Sequence, residues 1–80
     1  MQSMITDPAA LGQLVNRLRK QQKLTQAEVA LAAGVGLRFL VELEAGKPSV
    51  RLENVMRVLA VLGIALLADH AELPASRAGA

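Results

Sequence analysis

Thr25-Gln26-Ala27-Glu28-Val29-Ala30-Leu31-Ala32-Ala33-Gly34-Val35-Gly36-Leu37-Arg38-Phe39-Leu40-Val41-Glu42-Leu43-Glu44-Ala45-Gly46 is the stretch that decides the fold. Thr25 and Glu28 read T-x-x-E, a capping box in which each side chain satisfies a backbone N–H of the other residue. This predicts a short helix over 26–33. Gly34 follows it, suited to the left-handed residue that ends a helix. Val35-Gly36 then leads into a second short helix, Leu37 to Ala45, stopped by Gly46. Two short helices joined by a glycine-containing turn spell helix-turn-helix. The packing positions agree. Counting from Gln26, Ala30 is fifth, where two helices cross closely and a larger side chain would push them apart. Gly34 is ninth, in the turn, where positive φ is needed. Val29, Ala33, Val35, Leu40 and Leu43 are the apolar residues that hold the second helix on the first. Each position is a weak signal by itself, and their joint occupancy carries the reading.

The flanks extend the pattern. Upstream, Asp7-Pro8 opens a helix, with Asp as cap and Pro at the first helical position. Leu11, Leu14, Val15 and Leu18 then form an i, i+3, i+4, i+7 stripe that ends near Gln22 or Lys23. Arg17, Arg19, Lys20 and Lys23 crowd its last turns, and no acidic residue occurs from Pro8 to Ala27. Such cations suit the macrodipole at a helix C-terminus, and they also suit phosphate contact. Downstream, Gly46-Lys47-Pro48 reads as a loop. Ser49 is the expected cap of a fourth helix over Val50 to Leu62, with Leu52, Val55, Met56, Leu59 and Leu62 as its apolar stripe, broadened by Val58 and Val61. Gly63 ends it. Ile64 to Asp69 is a short apolar segment, a strand or a final irregular turn. The expected organisation is an N-terminal arm (1–6), a helix-turn-helix domain (7–63), a dimerisation strand (64–70) and a disordered tail (71–80). The fold class is all-α, a compact four- to five-helix domain whose short C-terminal strand can pair across a dimer.

Composition narrows the function. The chain has 80 residues, 52% of them apolar, yet Phe39 is the one aromatic. So much apolar surface on a short chain points to cover by a partner subunit. Alanine and leucine, fourteen each, dominate the apolar set and favour helices. With no Cys, no Tyr and a single His, His70, no nucleophile or acid–base pair stands at a useful spacing, which argues against an enzyme. His70 has only Asp69 and Glu72 near it, too few ligands for zinc, so no metal and no cofactor are expected, and His70 reads as a solvated residue. Met1 to Thr6 lacks the basic and apolar regions of a secretory signal. The apolar run Val58 to Ala68 is far short of the roughly 20 residues that span a bilayer. A cytoplasmic protein without membrane contact is the expectation. Net charge is +2. Residues 1–48 hold six basic and four acidic residues, and 49–80 hold three of each, so the basic excess travels with the helix-turn-helix half.

Thr25-Gln26-Ala27-Glu28-Val29-Ala30, Gly34-Val35, Leu40, Leu43-Glu44 and Gly46 resemble the phage-repressor type of helix-turn-helix, the XRE family, over roughly residues 8 to 63. The Asp-Pro start, the run Arg38-Phe39-Leu40-Val41-Glu42-Leu43-Glu44-Ala45-Gly46-Lys47-Pro48 and the apolar segment after Gly63 resemble the HipB-like antitoxin subgroup. The resemblance implies a homodimer that binds double-stranded operator DNA and partners a HipA-type serine/threonine kinase toxin. It also implies an ion pair between Arg19 and Glu44, linking the first and third helices, although Arg19 is open to DNA contact as well. Gln26 stands where family members touch a phosphate, at a helix N-terminus that itself suits an anion.

The remaining assignments follow from docking geometry. The third helix should lie in the major groove with its N-terminal residues at base edges. Leu40 and Leu43 point inward, which leaves Gly36, Leu37, Arg38 and Glu42 on or near the outer face. Arg38 is the candidate base reader, able to pair with guanine; the alternative is a phosphate contact or a solvated charge. Glu42 could accept from a cytosine amino group or orient Arg38 at i+4. Leu37 suits a thymine methyl group, and Lys47 suits the DNA backbone. Gly36 departs from the family's common Ser or Thr cap, and Phe39 and Val41 replace residues that are often small and polar. Phe39 could be core, DNA-facing or partner-facing. Ile64, Ala65, Leu66, Leu67 and Ala68 are the candidate dimer interface, with packing on the chain's own core as the alternative. Two other functions fit the same residues: a stand-alone phage-repressor-like regulator without a toxin, and a protein-interaction module that no longer reads DNA.

Overall fold

The computed structural model describes residues 3–70. Its elements are α1 (Pro8–Gln21), α2 (Gln26–Ala33), α3 (Leu37–Glu44) and α4 (Leu52–Leu62). Asp7 is extended and its carboxylate accepts the Ala10 N–H at 2.8 Å, with Pro8 opening α1. At α2 both halves of the capping box form: the Glu28 N–H donates to Thr25 Oγ1 at 3.0 Å, and the Thr25 N–H donates to Glu28 Oε1 at 2.8 Å.

All four helices stop in the same way. A left-handed residue follows each helix, its N–H reaching back three residues and the next N–H reaching back five. This is the Schellman arrangement, which satisfies the last carbonyls and turns the chain sharply. Gly34, Gly46 and Gly63 supply the left-handed residue for α2, α3 and α4, but α1 uses Lys23 at φ 60°. A non-glycine residue in that region is disfavoured by about 1–2 kcal/mol, so the sequence held no glycine signal for this turn.

The helices enclose one core, with α1 and α2 each packed against both α3 and α4. Val15, Val29, Ala30, Ala33, Leu40, Leu43, Val55, Val58, Leu59 and Leu62 are buried. Phe39 is half-buried and packs on this core, as does Val35.

The structure corrects two expectations about α4. The helix begins at Leu52, not Val50, and Ser49 does not cap it; the N-cap is Arg51, with no side-chain cap bond. Val50 instead packs on the core from the preceding extended segment. The buried stripe is Val55, Val58, Leu59 and Leu62, whereas Leu52 and Met56 are exposed, outside the arc that meets α1 and α2. Among the described residues there is no strand, and 64–70 carries no regular secondary structure. A lone extended segment has no neighbour in a single chain to pair its N–H and C=O groups. Ile64 packs on the core, while 65–70 is exposed. The proposed tail 71–80 lies outside the described residues.

Gly12, which sequence reasoning passed over, sets how closely α1 meets α3. A β-carbon placed there would stand 2.5 Å from the Leu43 carbonyl oxygen and 2.8 Å from that of Glu44. Both obstacles are backbone atoms, so no side chain can rotate away. Gly12→Ala is therefore expected to force the helices apart and destabilise the fold by about 1–3 kcal/mol, as overpacking does. Urea unfolding measures this, and a loss below about 0.5 kcal/mol, the range of inert surface changes, would contradict the close contact.

Candidate nucleic-acid interface

The base of the site is an ion pair. Arg19 Nε donates to Glu44 Oε2 at 2.7 Å, and Arg19 Nη2 donates to Glu44 Oε1 at 3.1 Å. Asn16 Nδ2 and Gln26 Nε2 add bonds to the same Oε1 at 2.9 and 3.0 Å. The third guanidinium nitrogen, Nη1, donates to the Leu24 carbonyl at 2.7 Å in the turn between α1 and α2. The side chains of Arg19 and Glu44 are 10% and 5% exposed. Asn16 had no signal of its own, but Gly12, Asn16 and Arg19 lie at helical spacing, so the face that Gly12 opens toward α3 delivers both donors to Glu44.

The charges are settled by these bonds. Burial alone would raise the Glu44 carboxyl, but the hydrogen bonds from Arg19, Asn16 and Gln26, with the Arg19 charge, hold it below the usual carboxylate range. The Arg19 guanidinium is pushed up, first by its bond to Glu44. Arg19 is thereby withdrawn from the basic surface of α1. Arg17, Lys20 and Lys23 remain exposed there.

The outer face of α3 lies above this base. Gly36 is its N-cap and makes no side-chain cap bond. Leu37 is half-exposed, and the Arg38 side chain is 91% exposed. Glu42 stands one turn after Arg38 and accepts from Arg38 Nε at 3.4 Å and from Lys47 Nζ at 3.3 Å. Val41, which the sequence reading left unassigned, is exposed beside Leu37 at i+4. This face thus joins two apolar side chains to a cation–anion–cation set. Gln26 is half-buried at the start of α2, with one amide N–H on Glu44. A primary amide has two such donors, so one is left for an outside acceptor. The structure brings Gly36, Leu37, Arg38, Glu42 and Lys47 onto α3, its N-cap and its following loop, and Glu44 ties Gln26 to the end of that helix. Residues 64–68 lie at the other end of the chain path, after α4.

Comparison with known proteins places this geometry. The model of the helix-turn-helix family matches residues 15–67. The chain belongs to the XRE-type helix-turn-helix family. The uncharacterized HTH-type transcriptional regulator y4mF of Sinorhizobium fredii (strain NBRC 101917 / NGR234) is 50% identical over 66 residues, 82% of this chain and 87% of that protein. The present chain is a DNA-binding helix-turn-helix transcriptional regulator. Among solved structures, a HipB variant in complex with an O2 20mer matches with a TM-score of 0.81 and 22% identity, over 90% of this chain and all of that one. The HipA–HipB–O2–O3 complex holds a chain matching at 0.80 and 20% identity, over 89% of this chain and all of that one. At that identity the likeness is one of fold. No helix among the described residues is long and apolar enough to cross a membrane.

Loss of one partner of a buried pair leaves an uncompensated charge. Glu44→Ala is expected to destabilise by about 3–5 kcal/mol, and a change below about 1 kcal/mol in urea unfolding would contradict this, being the size expected of an exposed pair. The lowered Glu44 carboxyl also predicts a pH dependence. A group whose folded pKa lies below its unfolded value stabilises fully above the unfolded pKa and ceases to do so as pH falls through the folded one. The stability difference between the natural chain and Glu44→Gln should be constant above the ordinary carboxyl value, 4.5, and shrink on acidification below it. A difference independent of acid would rule this out.

Proposed function

We propose that this regulator is a homodimeric, operator-binding repressor that serves as the antitoxin of a HipA-type serine/threonine kinase toxin and represses its own transcription. The observation that carries the reading is the match of nearly the whole chain to HipB, solved in complexes with an O2 20mer and with HipA. In this reading α3 enters the major groove. Arg38 reads a base edge there, with Glu42 beside it and Leu37 against a methyl group. Gln26 at the start of α2 and Lys47 after α3 hold the DNA backbone. Gly36 lets the chain approach closely where α3 begins.

Two half-sites one helical turn apart require a dimer. Residues 64–68 suit that role, since they follow α4 without regular secondary structure of their own and with Leu66 and Leu67 exposed. Pairing with the same segment of a second chain would satisfy the backbone and cover those side chains. Sedimentation of the chain truncated after Gly63 should show monomer where the full chain shows dimer, and an unchanged dimer would remove the segment from the interface.

Gel shift on the DNA upstream of the chain's own gene tests repression. If the dimer neutralises about six phosphates, log affinity should fall against log salt with a slope of about −5. Absence of binding at low salt would sink the operator reading. Co-expression with the HipA-type kinase encoded beside it should yield a stable complex and restore growth. DNA binding without such a neighbour or complex would make the chain a stand-alone regulator.

A further inference from the structure

Glu42 is an odd residue to find on a DNA-facing helix. A carboxylate against a polyanion weakens binding to every sequence, and like charges across an interface exclude partners. In the free protein the charge is covered on both sides: each carboxylate oxygen holds one cation, Arg38 on Oε2 at 3.4 Å and Lys47 on Oε1 at 3.3 Å. The bond from Lys47, assisted by Arg38, keeps the carboxyl below its usual range, so it is charged at neutral pH. The Arg38 and Lys47 side chains are 91% and 44% exposed, and exposed pairs of this kind are held weakly. Either cation can therefore leave for a phosphate, and each departure uncovers Glu42 against the DNA. That penalty disappears only where the groove offers Glu42 a donor. In the major groove the amino groups of cytosine and of adenine are such donors, but only the cytosine's partner, guanine, offers Arg38 two acceptors, whereas thymine offers one, so Glu42 and Arg38 are satisfied together on a G·C pair.

We propose that Glu42 is a specificity-determining residue, an anion that opposes capture of Arg38 and Lys47 by phosphates of arbitrary sequence and so makes tight binding depend on a G·C pair beneath α3. The inference rests on the reading in which α3 enters the major groove, and it assigns to Glu42 a role separate from affinity.

The test uses the full chain and two 20-base-pair duplexes, one selected by the chain from a random pool and a scrambled version of it. Fluorescence anisotropy over a range of KCl gives the affinity of the natural chain and Glu42→Gln for each. Glutamine keeps the size and removes the charge, and thermal unfolding checks that the variant is folded. The expected result is that E42Q binds the scrambled duplex several-fold tighter and the selected duplex no tighter, so that discrimination falls about tenfold, within the range carried by one base-edge contact. Selection repeated with E42Q should return sites with the G·C preference lost at one position per half-site. Equal gains on both duplexes, or an unchanged selected site, would overturn the proposal and leave Glu42 as a general charge. A natural chain that selects no preferred duplex would overturn the major-groove reading as well.

Discussion

The Glu44 carboxylate is the point on which three helices agree. It sits at the end of α3 and accepts two donors from Arg19 and one each from Asn16 and Gln26. Those donors belong to α1 and to the first residue of α2. Arg19 extends the linkage by holding the Leu24 carbonyl of the intervening turn. Four donors meet the demand of a buried carboxylate, which would otherwise be among the costliest groups to remove from water. The pair's net effect on stability need not be large, but its geometry is specific. It ties the first residue of α2 and the last turns of α1 to the end of α3.

Close approach and charge work together here. Gly12 lets the α1 backbone come against the last carbonyls of α3, and on the same face Asn16 and Arg19 reach Glu44. The outer face of α3 is the complement of this arrangement. Leu40 and Leu43 are buried, so Leu37, Arg38, Val41 and Glu42 are presented outward. The half-buried Phe39 packs against the core at the edge of this face. The helix α3 is apolar on more than one side because one side serves the core and another holds Leu37 and Val41.

Much of this is legible in the residues. The capping box and Gly34 bound α2 where it is observed, and Asp7-Pro8 marks the start of α1, because caps and left-handed turns leave local chemical signatures. Arg19 and Glu44 come from family resemblance, since twenty-five positions separate them and no local rule pairs them. Three features escape for physical reasons. Gly12 sits inside a helix, where a glycine looks like a mere weakness until a neighbouring backbone is placed against it. Lys23 occupies a left-handed position without being Gly or Asn. The α4 stripe reads too wide from sequence, because period alone does not tell an arc facing the core from an apolar arc facing outward. Leu52 and Met56 fall in the second.

The shared manner of helix ending has a mechanical consequence. From Pro8 to Gly63 each helix is closed at its C-terminal end by two backbone bonds from the residues that follow it, and α1 and α2 both pack against α3 and α4, so the four helices form one packed body. Beyond Gly63 and Ile64 there is no such closure among the described residues. In a dimer joined through 64–68, each α3 would ride on one packed block attached to its partner by one short joint. The tolerance for half-site spacing would then be a property of that joint, and operators differing by a base pair in their centres would be distinguished by how far it bends.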